Sequence, residues 1–181
     1  MATGRWTITG VSLGIAAATV ATYLPVLENG FVNYDDDLCI LENARISGGL
    51  GAEVVRWAFT TFHCGNWFPL TWLSWAADFS LYGAAPAGFH LTSLLLHAAS
   101  SVLLLLAFHR LTGAFWRSAL LAAVFALHPL HVEAVAWASS RKDVLSGFFA
   151  ALSLLCYERS ARRDARFQPA VFVCLALGLL A

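Results

Sequence analysis

Charge is what this 181-residue chain has least of: 12% of its residues are Asp, Glu, Lys or Arg, and a single lysine, Lys142, stands against ten arginines. Together with 59% hydrophobic residues and a mean hydropathy of +0.69, that scarcity excludes an ordinary soluble domain and predicts an integral membrane protein. Cysteine is scarce as well. Cys39, Cys64, Cys156 and Cys174 form no CxxC pair and no finger spacing, which removes a zinc ribbon and a redox motif. Cys39 and Cys64 share one expected outer loop and have the option of pairing in an oxidising compartment, but spacing alone favours free thiols. No HExxH and no second ligand pair is present, so a divalent metal is an option that ligand spacing does not support, and no other cofactor is implied. The first apolar run has no small-x-small cleavage site after it and is read as a retained signal-anchor helix. The arginine excess with abundant alanine fits a GC-rich bacterial genome, hence a bacterial inner membrane. No nucleic-acid partner is expected.

What is present is organised by long uncharged runs. Nothing between Arg5 and Glu28 carries charge, and at about 1.5 Å per residue that run crosses the hydrocarbon core. The fold expected is an all-α, polytopic helical bundle with spans at about 6–27, 86–108, 115–136 and 141–158. A fifth begins near 169 and runs to 181, so the chain is expected to be the front piece of a longer protein. Pro25 should end the first span and Gly113 the second. The outer loop, 28–85, is rich in aromatics. Stretches such as Glu53 to Phe62 and Trp67 to Leu81 read as interfacial helices, with Trp57, Trp67, Trp72 and Trp75 as a belt whose ring nitrogens stay wet.

With the N-terminus cytoplasmic, Arg5, Arg110, Arg117, Arg159, Arg162, Arg163 and Arg166 fall inside, accompanied by only Glu158 and Asp164. That satisfies the positive-inside rule, which gives acids little weight, so the nine outer acids need another explanation. Three of them are adjacent: Asp35, Asp36 and Asp37 follow the first span directly, where like charges survive only at a watery face. A hydroxyl acceptor attacking an activated sugar needs a carboxylate to take its proton, and the leaving phosphate needs fixed positive charge. Asp35 or Asp36 can supply the first. Arg141 or Lys142, at the mouth of spans three and four, can supply the second, with Asp143 expected to pair with one of them and counted among the candidate substrate-binding residues. His128, His131 and Glu133 are candidates for substrate hydrogen bonding, with metal ligation or packing as alternatives. Residue i+5 lies about 140° round a helix from i, but Pro129 breaks the helix there. His90 and His97, seven apart, share a face and read as histidines satisfied within the bundle.

Four stretches together resemble a known family. They are Phe31-Val32-Asn33-Tyr34-Asp35-Asp36 with Asn43; Asn66-Trp67-Phe68-Pro69-Leu70-Thr71; Pro86-Ala87-Gly88-Phe89-His90-Leu91 with His97; and Leu127-His128-Pro129-Leu130-His131-Val132-Glu133 running to Arg141-Lys142-Asp143-Val144-Leu145. In order and spacing they are similar to the transmembrane and tetratricopeptide-repeat O-mannosyltransferases and their bacterial relatives, of the type C glycosyltransferase fold. The resemblance implies inverting transfer of a sugar from a polyprenyl-phosphate donor to a Ser or Thr hydroxyl of a protein or peptide, at the extracytoplasmic face and among membrane lipid. It implies a base in the first acidic pair, Asp35 or Asp36, and places Asn66 among the substrate-binding residues. Asp37 departs from the family's pair and leaves the choice of base open. Two other classes compete: a transporter, which predicts acids facing each other across a pore at mid-membrane, and a non-catalytic scaffold, which predicts that Asp35 and Glu133 lie far apart.

Overall fold

In the computed structural model, which describes residues 4–162 and 165–181, every regular element is helical. Arg163 and Asp164, two of the charges assigned above to the inner side, lie outside the described residues. The helices are α1 (Arg5–Tyr23), α2 (Ala44–Ser47), α3 (Ala52–Thr60), α4 (Pro69–Tyr82), α5 (Pro86–Thr112), α6 (Phe115–Leu127), α7 (Val132–Ala136), α8 (Arg141–Arg162) and α9 (Gln168–Leu179). Local chemistry sets many boundaries. Pro69 and Pro86 open α4 and α5 in the first turn, where a missing N–H costs nothing. Asn43 caps α2 by accepting from the N–H of Arg45 at 3.0 Å. Pro25 lies in a tight turn, Leu24–Glu28, that follows α1, and Gly113 closes α5 at φ 73°, its N–H bonded to the carbonyl of His109.

Two helices are long and apolar enough to cross a membrane, Arg5–Glu28 and Pro86–Thr112. A third candidate is the pair Phe115–Leu127 and Pro129–Ala136, bent by 49° at the His128–Pro129 break. This is an all-α membrane protein. The fourth expected span coincides with α8, but its terminal charges, Arg141 to Asp143 and Glu158 to Arg162, keep it from qualifying by composition. The fifth, α9, is shorter.

Contacts along the bundle fix helix directions. Arg141, at the start of α8, donates to Ser93 near the start of α5, and Arg162 near the end of α8 donates to the carbonyl of Leu111 near the end of α5; the two helices run parallel. Helix α1 runs against them, with Ile15 packed on Leu105, Phe115 and Ala119, and Tyr23 edge-on to His97. Arg5, Arg110, Arg117, Arg159 and Arg162 thus gather at one end, and the acidic triplet with the 128–143 segment at the other.

The long loop has a core of its own. Cys39, Ile40, Ile46, Val54, Ala58, Phe68, Trp72, Trp75 and Ala76 pack together with Phe89 of α5 and Ala138 from the turn before α8. Trp72 and Trp75 are fully buried, and the Trp75 indole N–H donates to the carbonyl of Ala138 at 3.2 Å. The expected wet belt is therefore corrected: these two indoles are the interior of a folded layer, and Trp67 alone of the four is classed as exposed. The free-thiol expectation is corrected too. Cys39 and Cys64 are bonded, closing 25 residues of chain around the aromatic cluster. Replacing both by serine is expected to lower stability by about 3.5 kcal/mol, the loop-closure value for a ring of that size, read as a drop in the denaturant midpoint relative to the oxidised protein. Gly88 is required for a close approach: a Cβ there would overlap the ring of Tyr82. Gly88→Ala should cost about 1–3 kcal/mol in thermal unfolding.

Candidate active site at one mouth of the bundle

The acidic segment is anchored by one of its three members. Asp36 has no exposed surface, and both its oxygens are engaged: Oδ2 accepts from the N–H of Val32 at 2.9 Å, and Oδ1 accepts from the N–H of Ser139 at 2.9 Å and from the Ser139 hydroxyl. This contact joins residues 103 apart in sequence and seats the triplet against the turn Ala138–Ser140 that leads into α8. Asp35 and Asp37, on either side, are half-buried, and their carboxylates make no hydrogen bond or ion pair among the described residues.

Arg141, next after the turn, is fully buried. It pairs with Asp78 of α4 at 2.7 Å and donates to Ser93 at 2.9 Å, to the carbonyl of Phe89 at 2.6 Å and to Ser74 at 3.4 Å. Asp78 also accepts from the Thr92 hydroxyl at 2.8 Å. Burial pushes the Asp78 carboxyl above its usual range, and the Arg141 charge and the two donors oppose that push. The expected pairing of Asp143 with Arg141 or Lys142 is corrected: Arg141 is taken by Asp78, and Asp143 is exposed in the first turn of α8, where it suits the helix dipole. Lys142 is exposed, its Nζ 5.9 Å from the centre of the Phe68 ring. Of the two cations proposed to meet a phosphate, one is saturated inside the protein and the other lies at the surface over Phe68, with no ion pair among the described residues.

The remaining candidates are distributed around this point. His131 is half-buried between His97 and Phe125, with ring centres at 5.3 and 4.5 Å. His128 is exposed, its Nδ1 accepting from the N–H of Leu130, and Glu133 is exposed at the start of α7. Asn66 is exposed and donates to the carbonyl of Cys64. The disulfide ties that loop back to Cys39, two residues past Asp37, and His63 Nε2 meets the carbonyl of Leu38 at 3.3 Å. Among the described residues no three His, Cys, Asp or Glu side chains converge as a metal site. His97 is satisfied, donating to the carbonyl of Ala126 at 3.0 Å, whereas His90 is fully buried beside the backbone of Gly30 and Asn29, with no well-formed hydrogen bond to its ring nitrogens among the described residues.

Asp78 and Ser139 carry the architecture of the site and were not singled out from sequence. A signal existed for Asp78, the one charged residue in an otherwise uncharged helix rich in tryptophan, since such an acid is rarely buried unpaired. For Ser139 there was none.

The arrangement is that of a polytopic all-α membrane protein with acids and an exposed lysine gathered at one mouth of its bundle. Its sequence relatives are more specific. The chain is 34% identical to protein O-mannosyl-transferase Tmtc2 of Drosophila melanogaster over 166 residues, 87% of this chain and 18% of that protein. It is 33% identical to Tmtc1 of the same fly over 81% of this chain and 18% of the relative, and 33% identical to human TMTC2 over 78% and 18%. The chain is thus homologous to a segment of the Tmtc protein O-mannosyl-transferases, and it spans about one fifth of the length of these curated relatives. No family model and no solved structure matches it. These relatives are animal proteins, so the expected bacterial inner membrane finds no support in them.

Proposed function

We propose that this chain forms the acidic mouth of a protein O-mannosyl-transferase, in which Asp35 takes the proton of a Ser or Thr hydroxyl as that oxygen attacks the anomeric carbon of a polyprenyl-phosphate-linked mannose. The new C–O bond forms as the sugar–phosphate bond breaks, the polyprenyl phosphate departs, and the configuration inverts. The observation that carries the reading is the division of labour within the triplet. Asp36 is consumed by Val32 and Ser139, which leaves Asp35 beside it as a held, half-buried carboxylate with its lone pairs unclaimed. Because Arg141 is committed to Asp78, the leaving phosphate is assigned to Lys142 and the positive end of the α8 dipole. His128, Glu133 and Asn66 are exposed and remain available to sugar or peptide. The reading places this mouth at the extracytoplasmic face and the N-terminus in the cytoplasm, in keeping with the basic end of the bundle.

The test is transfer of mannose by the reconstituted full-length protein from a polyprenyl-phosphate mannose to a Ser/Thr peptide. Loss of transfer when both Asp35 and Asp36 are changed to asparagine is expected; a rate kept in that variant would sink the proposal.

A further inference from the structure

We infer that the outer face of α3 carries a binding site for the phosphate headgroup of an anionic membrane phospholipid, separate from the mouth described above. The site is a cavity of about 460 Å³ lined by Arg45, Ala52, Glu53, Arg56, Trp57 and Thr60. Two guanidinium groups and one carboxylate line it. Arg45 is paired with Glu53 at 3.0 Å, and the Arg56 guanidinium has no partner among the described residues, so the cavity keeps a positive charge. The Thr60 hydroxyl donates back to the carbonyls of Arg56 and Trp57, which leaves its lone pairs on the cavity side chain free to accept from a headgroup hydroxyl.

The surroundings indicate where that phosphate comes from. At about 100° per residue, Arg56 lies between two faces of α3. On one side are Glu53, Thr60 and Trp57. On the other are Val55 and Phe59, 42% and 47% exposed, and the adjoining chain adds Phe62 at 72% and Trp67 at 43%. The Trp67 indole N–H bonds the carbonyl of Phe59 and holds the two rings' backbones together. Val54 and Ala58 are buried against α4, so the helix cannot roll to hide this apolar stripe. An apolar stripe directly beside an unpartnered arginine, on a membrane protein, is the arrangement of an interfacial helix: the stripe enters the acyl boundary and the guanidinium sits at the depth of lipid phosphates. A soluble anion would account for Arg56 and leave the stripe unexplained.

The experiment uses the protein in phosphatidylcholine nanodiscs with phosphatidylglycerol or phosphatidylcholine probes bearing a headgroup diazirine, and maps the label by mass spectrometry. Labelling of 45–62 by the glycerol probe is expected to exceed that by the choline probe about fivefold, the factor one basic residue contributes at an anionic surface. Arg56→Gln should abolish the preference, and Arg56→Lys should keep most of it, since both side chains are exposed and fold-neutral. Equal labelling by the two probes, a preference that survives Arg56→Gln, or no label on 45–62 because protein covers it would each overturn the inference. Displacement of the glycerol probe by inorganic phosphate would show a free-anion site and overturn the lipid assignment.

Discussion

Arg141→Met is expected to destabilise the protein by about 3–5 kcal/mol, measured as the loss of folded fraction in a denaturant titration of the detergent-solubilised chain. The guanidinium is buried with four partners, and removing it leaves the Asp78 carboxylate inside the protein with only the Thr92 hydroxyl as donor. The coupled variant Asp78→Leu with Arg141→Met should recover most of that loss, because an apolar pair of similar volume has no charge to desolvate. Arg141→Lys should not recover it, since one ammonium cannot reach Ser93, the Phe89 carbonyl and Asp78 in the fixed directions that the guanidinium fork uses. An Arg141→Met protein that unfolds at the wild-type midpoint would mean that this network does not hold α4, α5 and α8 together.

Asp35→Asn and Asp36→Asn are expected to fail in different ways. Asp35→Asn should lower kcat for mannose transfer by about 10²–10⁴ with the melting temperature unchanged, because its carboxylate makes no hydrogen bond or ion pair among the described residues and its loss removes only proton acceptance. Asp36→Asn should cost about 1–3 kcal/mol of stability, since an amide offers one acceptor oxygen where Asp36 serves Val32 on one side and Ser139 on the other. Activity should fall with it as the acidic segment lifts from the turn. Ser139→Ala, which removes one of the donors, should reproduce a part of the Asp36 effect. The reverse pattern, with Asp35→Asn unfolding and Asp36→Asn folded but inactive, would exchange the two roles and move the base to Asp36.

The scaffold alternative predicts that Asp35 and Glu133 lie far apart; no hydrogen bond or ion pair joins those two among the described residues, and the contact that forms is between Asp36 and Ser139, six residues after Glu133. The transporter alternative needs acids opposed at mid-membrane. The described acids of the outer loop lie at one end of the bundle, and the buried one among them that pairs, Asp78, faces Arg141.

What the sequence by itself determined is what depends on neighbours along the chain. Uncharged runs marked the helices, because hydrocarbon demands about twenty apolar residues and internal backbone hydrogen bonds. Pro69, Pro86 and Gly113 marked their ends, because φ restrictions act on single residues. The acids stood out because three adjacent carboxylates tolerate few environments. Only the tertiary structure decided which of these residues are partners. The disulfide, the burial of Trp72 and Trp75, and the capture of Arg141 by Asp78 join positions 25 to 63 residues apart, and Asp36 reaches Ser139 across 103. A charged residue beside a membrane mouth reads the same whether it faces water or a buried counter-ion. Its assignment follows from which helices pack side by side, and that is set by the shape of the whole core, which no single stretch of sequence contains.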